Sequence, residues 1–316
     1  RHEIMEIIKL HHPLSSDFNQ SEKLVLAMGY FDGIHLGHQK VLEKARDIAI
    51  KKDLPLAVLT YDHKPAVVYK KLSPHDRRNI IMPDSKNEMF ESLGVNKVFV
   101  INYSFSFQNQ TPQEFVDNYL VKFNADTVVA GMDHTYGAKN ATMALLPNYA
   151  KDRFDVVAVD LADYQLEKIS STRIRKNLDE GHIQTVNHLM GRPFETGGTV
   201  VHGFARGREL GYPTANIEHD ELQWLPTIGV YVVDVFIGNQ KYHGMASIGR
   251  NVTFGDKNPI TVEINILDFN DNIYGEVLKV DWLYRIRGEV KFEGIDKLIK
   301  QLQSDEDFTR HYFENK

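Results

Sequence analysis

Residues 29–38, Gly29-Tyr30-Phe31-Asp32-Gly33-Ile34-His35-Leu36-Gly37-His38, are the densest set of chemically useful side chains in this 316-residue chain. An apolar run, Leu24–Met28, leads into them and a helix-like run at 39–52 follows. Three glycines and two histidines therefore sit where a strand hands over to a helix. Glycine lets a backbone approach an anion closely, and a helix start offers free N–H groups and the positive end of its dipole. Histidines three positions apart can donate hydrogen bonds to phosphate oxygens that gain charge during group transfer. A P-loop would close on Gly-Lys-Ser/Thr, which this stretch lacks. The rival chemistry is a metal trio from Asp32, His35 and His38. Such a trio has no need of Gly29, Gly33 and Gly37, whereas a phosphate cradle does.

The stretch resembles the G-x-F-D-G-x-H-x-G-H signature of the nucleotidylyltransferase superfamily, in the form used by bacterial flavin-adenylating enzymes. That resemblance implies ATP contacts at Gly29, Phe31, Asp32, Gly33 and Gly37, with His35 and His38 stabilising charge. Ile169-Ser170-Ser171-Thr172-Arg173-Ile174-Arg175 reads by itself as an N-cap followed by solvated arginines. It is similar to the S-S-T-x-I-R element of the same enzymes, which implies that Ser171, Thr172 and Arg175 meet nucleotide phosphates. Two segments depart from the family's pattern. T-F-x-P-H-P is replaced by Thr60-Tyr61-Asp62-His63-Lys64-Pro65, and G-x-D/N-F-R-F-G by Gly131-Met132-Asp133-His134-Thr135-Tyr136-Gly137. Asp133 is kept for the nucleotide, but an arginine becomes Thr135, which removes a fixed positive fork. Lys64 or Lys139 could restore charge nearby.

A second constellation opens the C-terminal part: Gly203-Phe204-Ala205-Arg206-Gly207-Arg208-Glu209-Leu210-Gly211-Tyr212-Pro213-Thr214-Ala215-Asn216. On spacing alone this is a glycine-rich hairpin with polar strand residues. On an extended segment, Thr214 and Asn216 point the same way and offer oxygens to a hard Mg²⁺ ion shared with phosphates. The run resembles the G-x-x-x-G-R-x-L-G-x-P-T-A-N signature of riboflavin kinases. The resemblance assigns Gly203, Gly207, Arg208, Gly211, Thr214 and Asn216 to Mg-ATP. Val262-Glu263-Ile264-Asn265-Ile266-Leu267-Asp268-Phe269 is similar to that family's V-E-x-x-x-L-D-F segment, which makes Glu263 the base for the ribityl 5′-hydroxyl. Together the motifs resemble, in order, the bacterial bifunctional riboflavin kinase/FAD synthetase. They imply riboflavin, FMN and ATP as substrates and Mg²⁺ in both reactions. A second reading, motivated by the replaced segments, is a riboflavin kinase whose N-terminal domain is a flavin or nucleotide sensor or an interaction module.

The elements needed to position these groups follow from patterning. Strand-like runs at Leu24–Met28, 56–60, Lys97–Ile101, 127–130 and 156–161 alternate with helical runs at 39–52, 84–93 and 112–123, the last opened by a Thr111/Glu114 capping box. Alternation of this kind predicts a Rossmann-like parallel sheet covered on both faces, with ligands at the carboxyl ends of strands. Runs at 198–202, Gly229–Ile237, 242–248, 261–269 and 278–286 predict a small antiparallel β-barrel, followed by two helices at 294–302 and 305–313. Short helices are expected at Ser171–Glu180 and Ile183–Met190. The predicted domains are 1–188 and 189–316.

Composition narrows the class. Apolar content of 42% and charged content of 25% are those of a globular chain of two domains. A formal charge of −6 provides no basic field for nucleic acid. The chain has no cysteine, so disulfides and thiolate chemistry are excluded, in keeping with a cytoplasmic enzyme. No run has the length of a membrane span, and the first ten residues lack the shape of a signal peptide. His11-His12, Lys70-Lys71 and Arg77-Arg78 read as surface loop residues, and Trp224 and Trp282 as packing residues.

Overall fold

Leu24–Met28 and the run from Leu56 are apolar at almost every position, without the alternation of a half-exposed strand. Such runs need cover on both faces. The computed structural model, which describes residues 4–164, 168–203, 208, 210–250 and 259–316, provides it. Strands β1 (Glu6–Leu10), β2 (Leu24–Met28), β3 (Leu56–Tyr61), β4 (Lys97–Ile101), β5 (Ala125–Gly131) and β8 (Asp155–Val159) form one sheet in the order β1-β4-β3-β2-β5-β8. Every pairing in it is parallel. Two short strands, β6 (Thr135–Tyr136) and β7 (Ala141–Thr142), pair separately. Successive β2 side chains alternate between two cores: Leu24, Leu26 and Met28 in one, Val25 and Ala27 in the other.

Helices α1 (Leu36–Lys52), α2 (Ala66–Tyr69), α3 (Pro83–Ser92), α4 (Phe105–Gln108), α5 (Pro112–Phe115) and α6 (Leu146–Ala150) lie in the connections. Val41, Leu42 and Ala45 of α1 and Phe90 of α3 close one core, and Phe107 and Phe115 help close the other. The chain steps outward from β2 to β3 and β4, then crosses back to β5. The strand order therefore reverses beside β2, and the carboxyl ends of β2 and β5 flank a crevice.

Two of the differences from expectation lie in this unit. The single helix expected over 112–123 is α5 followed by a π turn at Val116–Leu120, in which the Val121 N–H reaches the Val116 carbonyl at 3.0 Å. The wider turn lets Val116, Tyr119 and Leu120 all be fully buried. The Thr111 cap forms as expected, its hydroxyl accepting from the Glu114 N–H at 3.1 Å. The second difference is β1, which patterning missed because it is an edge strand with mostly exposed or half-exposed residues.

The second unit contains β9 (Phe194–Val201), β10 (Ala215–Glu218), β11 (Gly229–Ile237), β12 (Gln240–Arg250), β13 (Ile260–Ile266) and β14 (Val277–Arg287), closed as β10-β13-β12-β11-β14-β9. Among its described residues are the helices α7 (Ser171–Glu180), α8 (Ile183–Met190) and α9 (Ile295–Glu314). Contacts divide the chain into Arg1–Ser170 and Ser171–Lys316, earlier than the 188/189 boundary expected from sequence. The reason is that α7 and α8 are tied to the barrel. The Asn187 amide donates to the Trp282 carbonyl at 2.7 Å and accepts from the Phe194 N–H at 2.8 Å. Trp224 Nε1 donates to Asp179 at 3.0 Å. Both tryptophans are buried, as expected. Among the described residues, no helix is long and apolar enough to cross a membrane.

The two helices expected at 294–302 and 305–313 are one, α9. Asp305 starts no new helix. Its buried carboxylate takes Nε and Nη2 of Arg287 at 2.9–3.1 Å and the Gln301 amide at 2.9 Å, pinning the middle of α9 to β14. Asp305→Ala leaves a guanidinium without its counter-charge, and should cost the second unit about 3–5 kcal/mol, the usual loss when one partner of a buried pair is removed. Urea titration followed by tryptophan fluorescence checks this, since both tryptophans report on this unit. An unchanged midpoint would show that α9 is held by its apolar contacts alone.

Candidate active sites

β2 ends at Met28, and the chain turns sharply over residues 29–35 before α1 begins. Phe31 (φ 58°), Gly33 (φ 92°) and Ile34 (φ 41°) all have positive φ. For a buried, β-branched residue such as Ile34 this is strain of about 1–3 kcal/mol, of the kind found where function fixes a loop. A Cβ on Gly37 would lie 2.9 Å from both the His35 ring and Leu161, so only hydrogen fits there. His35 is the N-cap of α1, its Nδ1 accepting the His38 N–H at 3.2 Å. In the neutral ring that bond leaves the proton on Nε2. The His38 ring stacks on His35 with centroids 3.6 Å apart and planes 17° off parallel. Phe31 meets His38 edge-on at 5.4 Å. The loop thus presents two stacked imidazoles at the start of a 17-residue helix.

Asp32 serves the loop itself. It is buried, and its Oδ1 accepts the N–H groups of Ile80 at 2.9 Å and Ile81 at 3.3 Å. Among the described residues there is no group of three or more histidines and carboxylates set to hold a metal ion, which counts against the Asp32/His35/His38 trio.

At the carboxyl ends of the same strands lies a cavity of about 480 Å³, lined by Tyr30, Tyr61, Tyr103, Phe107, His134 and Tyr136 among others. Its walls are flat and aromatic. Asp133 also lines it, while a Cβ on Gly131 would lie 3.3 Å from the Asp133 carboxylate. Burial pushes the His134 imidazole down to about 4, so it is neutral at physiological pH. Lys64 does not replace the missing arginine: its ammonium is buried and donates to the carbonyls of Asp76 (2.8 Å) and Arg78 (2.5 Å). Lys139 is exposed. His12, expected as a surface loop residue, is half-buried instead, its Nδ1 2.6 Å from the Tyr119 hydroxyl.

In the barrel, register builds the second candidate site. Asn216 on β10 stands directly opposite Glu263 on β13, and Glu263 stands opposite Ser247 on β12. One face thus carries an amide, a carboxylate and a hydroxyl in a row. Gly203 packs so closely on Asn216 that a Cβ would lie 2.0 Å from its amide. Asn265 donates to the Pro213 carbonyl at 2.8 Å, tying the turn before Thr214 to β13. Thr214 and Arg208 line a cavity of about 390 Å³ with Ile264, Ile266, Phe269 and the 270–274 turn. His202 stacks on Tyr274 at that cavity, centroids 3.7 Å apart. The Asp268 carboxylate, next to Phe269, is gripped by Arg310 of α9 through two 2.9 Å bonds.

The first unit brings together Gly29, Phe31, Asp32, Gly33, His35, Gly37, His38 and Asp133. Ser171, Thr172 and Arg175 occupy the first turns of α7 in the second unit, with the Arg175 guanidinium 5.8 Å from the Trp224 ring centre. Gly211 has φ +80° and open space around it. Gly207 lies outside the described residues. The tyrosines of the aromatic cavity were missed, although Tyr61 directly follows a predicted strand and Tyr30 and Tyr103 follow two others by two residues. Ser247, Asn265 and Lys86 were missed as well, because their importance depends on pairing across the chain.

A family model described as FAD synthetase matches residues 17–173, and one described as riboflavin kinase matches residues 190–313. The bifunctional riboflavin kinase/FMN adenylyltransferase of Listeria monocytogenes is 43% identical over 98% of each chain. That of Bacillus subtilis is 36% identical, covering 98% of this chain and 99% of its own. A crystal structure from Streptococcus pneumoniae, described as a macrolide-efflux protein, matches with a TM-score of 0.87 at 40% identity, over 96% of this chain and 99% of its own.

The fit around Gly37 gives a direct test of the loop. Gly37→Ala must push the His35 ring or Leu161 aside, with an expected stability loss of about 1–3 kcal/mol for overpacking. The His35 and His38 Cε1–H resonances should shift together as the stack opens. Unshifted resonances and an unchanged melting temperature would mean that the loop absorbs a methyl group freely.

Proposed function

The chain belongs to the bifunctional riboflavin kinase/FMN adenylyltransferase family, and from that membership we propose how its own residues divide the two reactions. The protein phosphorylates riboflavin to FMN and adenylylates FMN to FAD. What carries the division of labour is that each unit holds its own phosphate-handling set: a strained glycine-histidine loop in one, and an amide-carboxylate pair across two strands in the other.

In the kinase, the Glu263 carboxylate takes the proton of the riboflavin 5′-hydroxyl as that oxygen attacks the γ-phosphorus of ATP. The bond from the γ-phosphorus to the β,γ-bridging oxygen breaks, and ADP leaves with that electron pair. Arg208 and the glycines at 203, 207 and 211 accommodate the nucleotide. Thr214 and Asn216 offer hard oxygen donors, Asn216 directly opposite Glu263, and are the residues suited to Mg²⁺; the ion when bound neutralises phosphate charge.

In the adenylyltransferase, an FMN phosphate oxygen attacks the α-phosphorus of ATP and the α–β linkage breaks, releasing pyrophosphate. Gly29, Gly33 and Gly37 let the backbone close on the phosphates, while Asp32 fixes the loop's shape and Phe31 braces His38. The Nε2–H of His35 and the His38 ring donate to oxygens that gain charge. The aromatic cavity takes the isoalloxazine ring, for which its tyrosine rings are suited. Asp133, which lines that cavity with Tyr30, is assigned to the nucleotide. The S-S-T-x-I-R likeness alone, not the position of α7, assigns Ser171, Thr172 and Arg175 to ATP phosphates, and of these Ser171 and Thr172 fall inside the FAD synthetase match. A cytoplasmic setting, where riboflavin and ATP are both at hand, completes this reading.

Incubation with riboflavin, Mg²⁺ and ATP, with FMN and FAD resolved by chromatography, tests the whole scheme. His38→Ala should lower FAD formation from supplied FMN by roughly a hundredfold or more, the usual loss for one donor to a developing charge, and leave FMN formation nearly unchanged. Parallel loss of both activities would refute separate sites.

Glu263→Gln keeps the side-chain volume and an accepting oxygen but cannot take a proton. Kinase turnover should fall by about 10²–10⁴-fold, with riboflavin binding far less affected and FAD formation from FMN intact. Retained kinase turnover would leave Glu263 as an orienting group only.

A further inference from the structure

Lys86 lies on α3, far in sequence from either motif, yet its ammonium is buried beneath the glycine-histidine loop. It donates to the backbone carbonyl of Tyr30, which also accepts the Thr60 hydroxyl at 3.0 Å. The same ammonium stands 4.3 Å from the centre of the Tyr30 ring. At the far end of that ring the phenol donates to Asn79 Oδ1 at 2.7 Å. Tyr30 is thus held at its carbonyl, its ring face and its hydroxyl. It is also the residue that joins the loop, which begins one position earlier, to the aromatic cavity it lines.

We propose that Lys86 is a positioning residue for adenylyl transfer: as a cation, it holds Tyr30 in the wall between the phosphate loop and the aromatic cavity, and so sets the affinity for FMN. The proposal rests on the adenylyltransferase reading of the first unit. Charge is what the arrangement uses. A neutral amine could still donate one hydrogen bond, but it would lose both the attraction to the ring face and the charge-assisted strength of the bond to the carbonyl.

The loop after β2 faces Lys86 with Tyr30 and Asp32, and β3 contributes the Thr60 hydroxyl to the shared carbonyl. Asp32 favours the cation at longer range, but its Oδ1 is occupied by the Ile80 and Ile81 N–H groups. Burial outweighs that help and brings the ammonium down to about 8. The cation therefore predominates below that pH and is lost as pH rises through it, within the range of an ordinary assay.

The test is steady-state FAD formation from FMN between pH 7 and 9.5, by the wild type, Lys86→Met and Lys86→Arg. In the wild type the KM for FMN should rise severalfold through pH 8, while the KM for ATP changes much less. In Lys86→Met it should be raised about tenfold already at pH 7, the scale of one desolvated cation–π contact, and stay flat with pH. Lys86→Arg keeps its charge throughout and should restore a low KM that no longer rises. A flat wild-type profile overturns the proposal, as does a Lys86→Met variant with wild-type KM at every pH. Should Lys86→Met fail to fold, the wild-type and Lys86→Arg profiles decide. A wild type that forms no FAD at all overturns the adenylyltransferase reading and this proposal with it, whereas FAD formed with a flat profile overturns the proposal alone.

Discussion

The constraint on which the first unit depends is the double-sided burial of β2. A strand covered on both faces, with β3 on one side and β5 on the other, cannot shift register without moving apolar side chains of both cores. Its end at Met28 is therefore fixed, and the next seven residues must reach the start of α1 whatever that costs the backbone. The cost appears as left-handed φ at Phe31 and Ile34, in a loop that the Asp32 carboxylate holds shut from within. Rigidity at the strand end and strain in the loop have a common origin, and together they hold backbone N–H groups and two imidazoles ready for phosphate.

In the barrel the proposed phosphate site lies on a strand face. In an antiparallel ladder, residues opposite each other on one face are neighbours by geometry, so fixing the β10–β13 register fixes Asn216 beside Glu263. That register is protected by closure, because no edge strand remains free to slip. Gly203 then has to be glycine for a reason unrelated to φ: the Asn216 amide occupies the space a methyl would need. One unit places its chemistry at a strained strand end, the other on an unstrained strand face. Residues that look alike in sequence, glycines next to polar side chains, do different jobs in the two.

Short-range pattern made most of this legible. The β2 and β4 bounds, the barrel strands from Gly229 onward and the Thr111 cap follow from periodicity and capping chemistry, which are local. What was not legible depends on partners distant in sequence. Asp305 reads as a place where a helix could begin, until Arg287 is found beside it. The 112–123 helix widens to a π turn because three apolar side chains must all reach one core. Lys86 looks like any helix-surface lysine until α3 packs against the loop, and Lys64 like a candidate phosphate ligand until two carbonyls claim it. Polar side chains that serve the fold from a distance leave no periodic trace.

The departures from the family's pattern gain a physical meaning from where they fall. Tyr61, His134, Thr135 and Tyr136 all line the aromatic cavity, whereas Gly29, Asp32, Gly33, His35, Gly37 and His38 depart nowhere. His63 and Lys64 depart as well but lie off the cavity lining; the other four changes fall on the wall that suits a planar ring, and none falls in the loop that suits phosphate. Exchanging a guanidinium for a hydroxyl, and a phenyl ring for a neutral imidazole, lowers the positive charge of that wall while keeping its flatness and part of its hydrogen-bonding capacity. Lys64 is committed to the 76–78 loop, whereas Lys86 is a buried cation set behind Tyr30 of this wall. On the proposed reading, a wall with Thr135 in place of the family's arginine in front has a lysine behind it, acting through the aromatic residue between them.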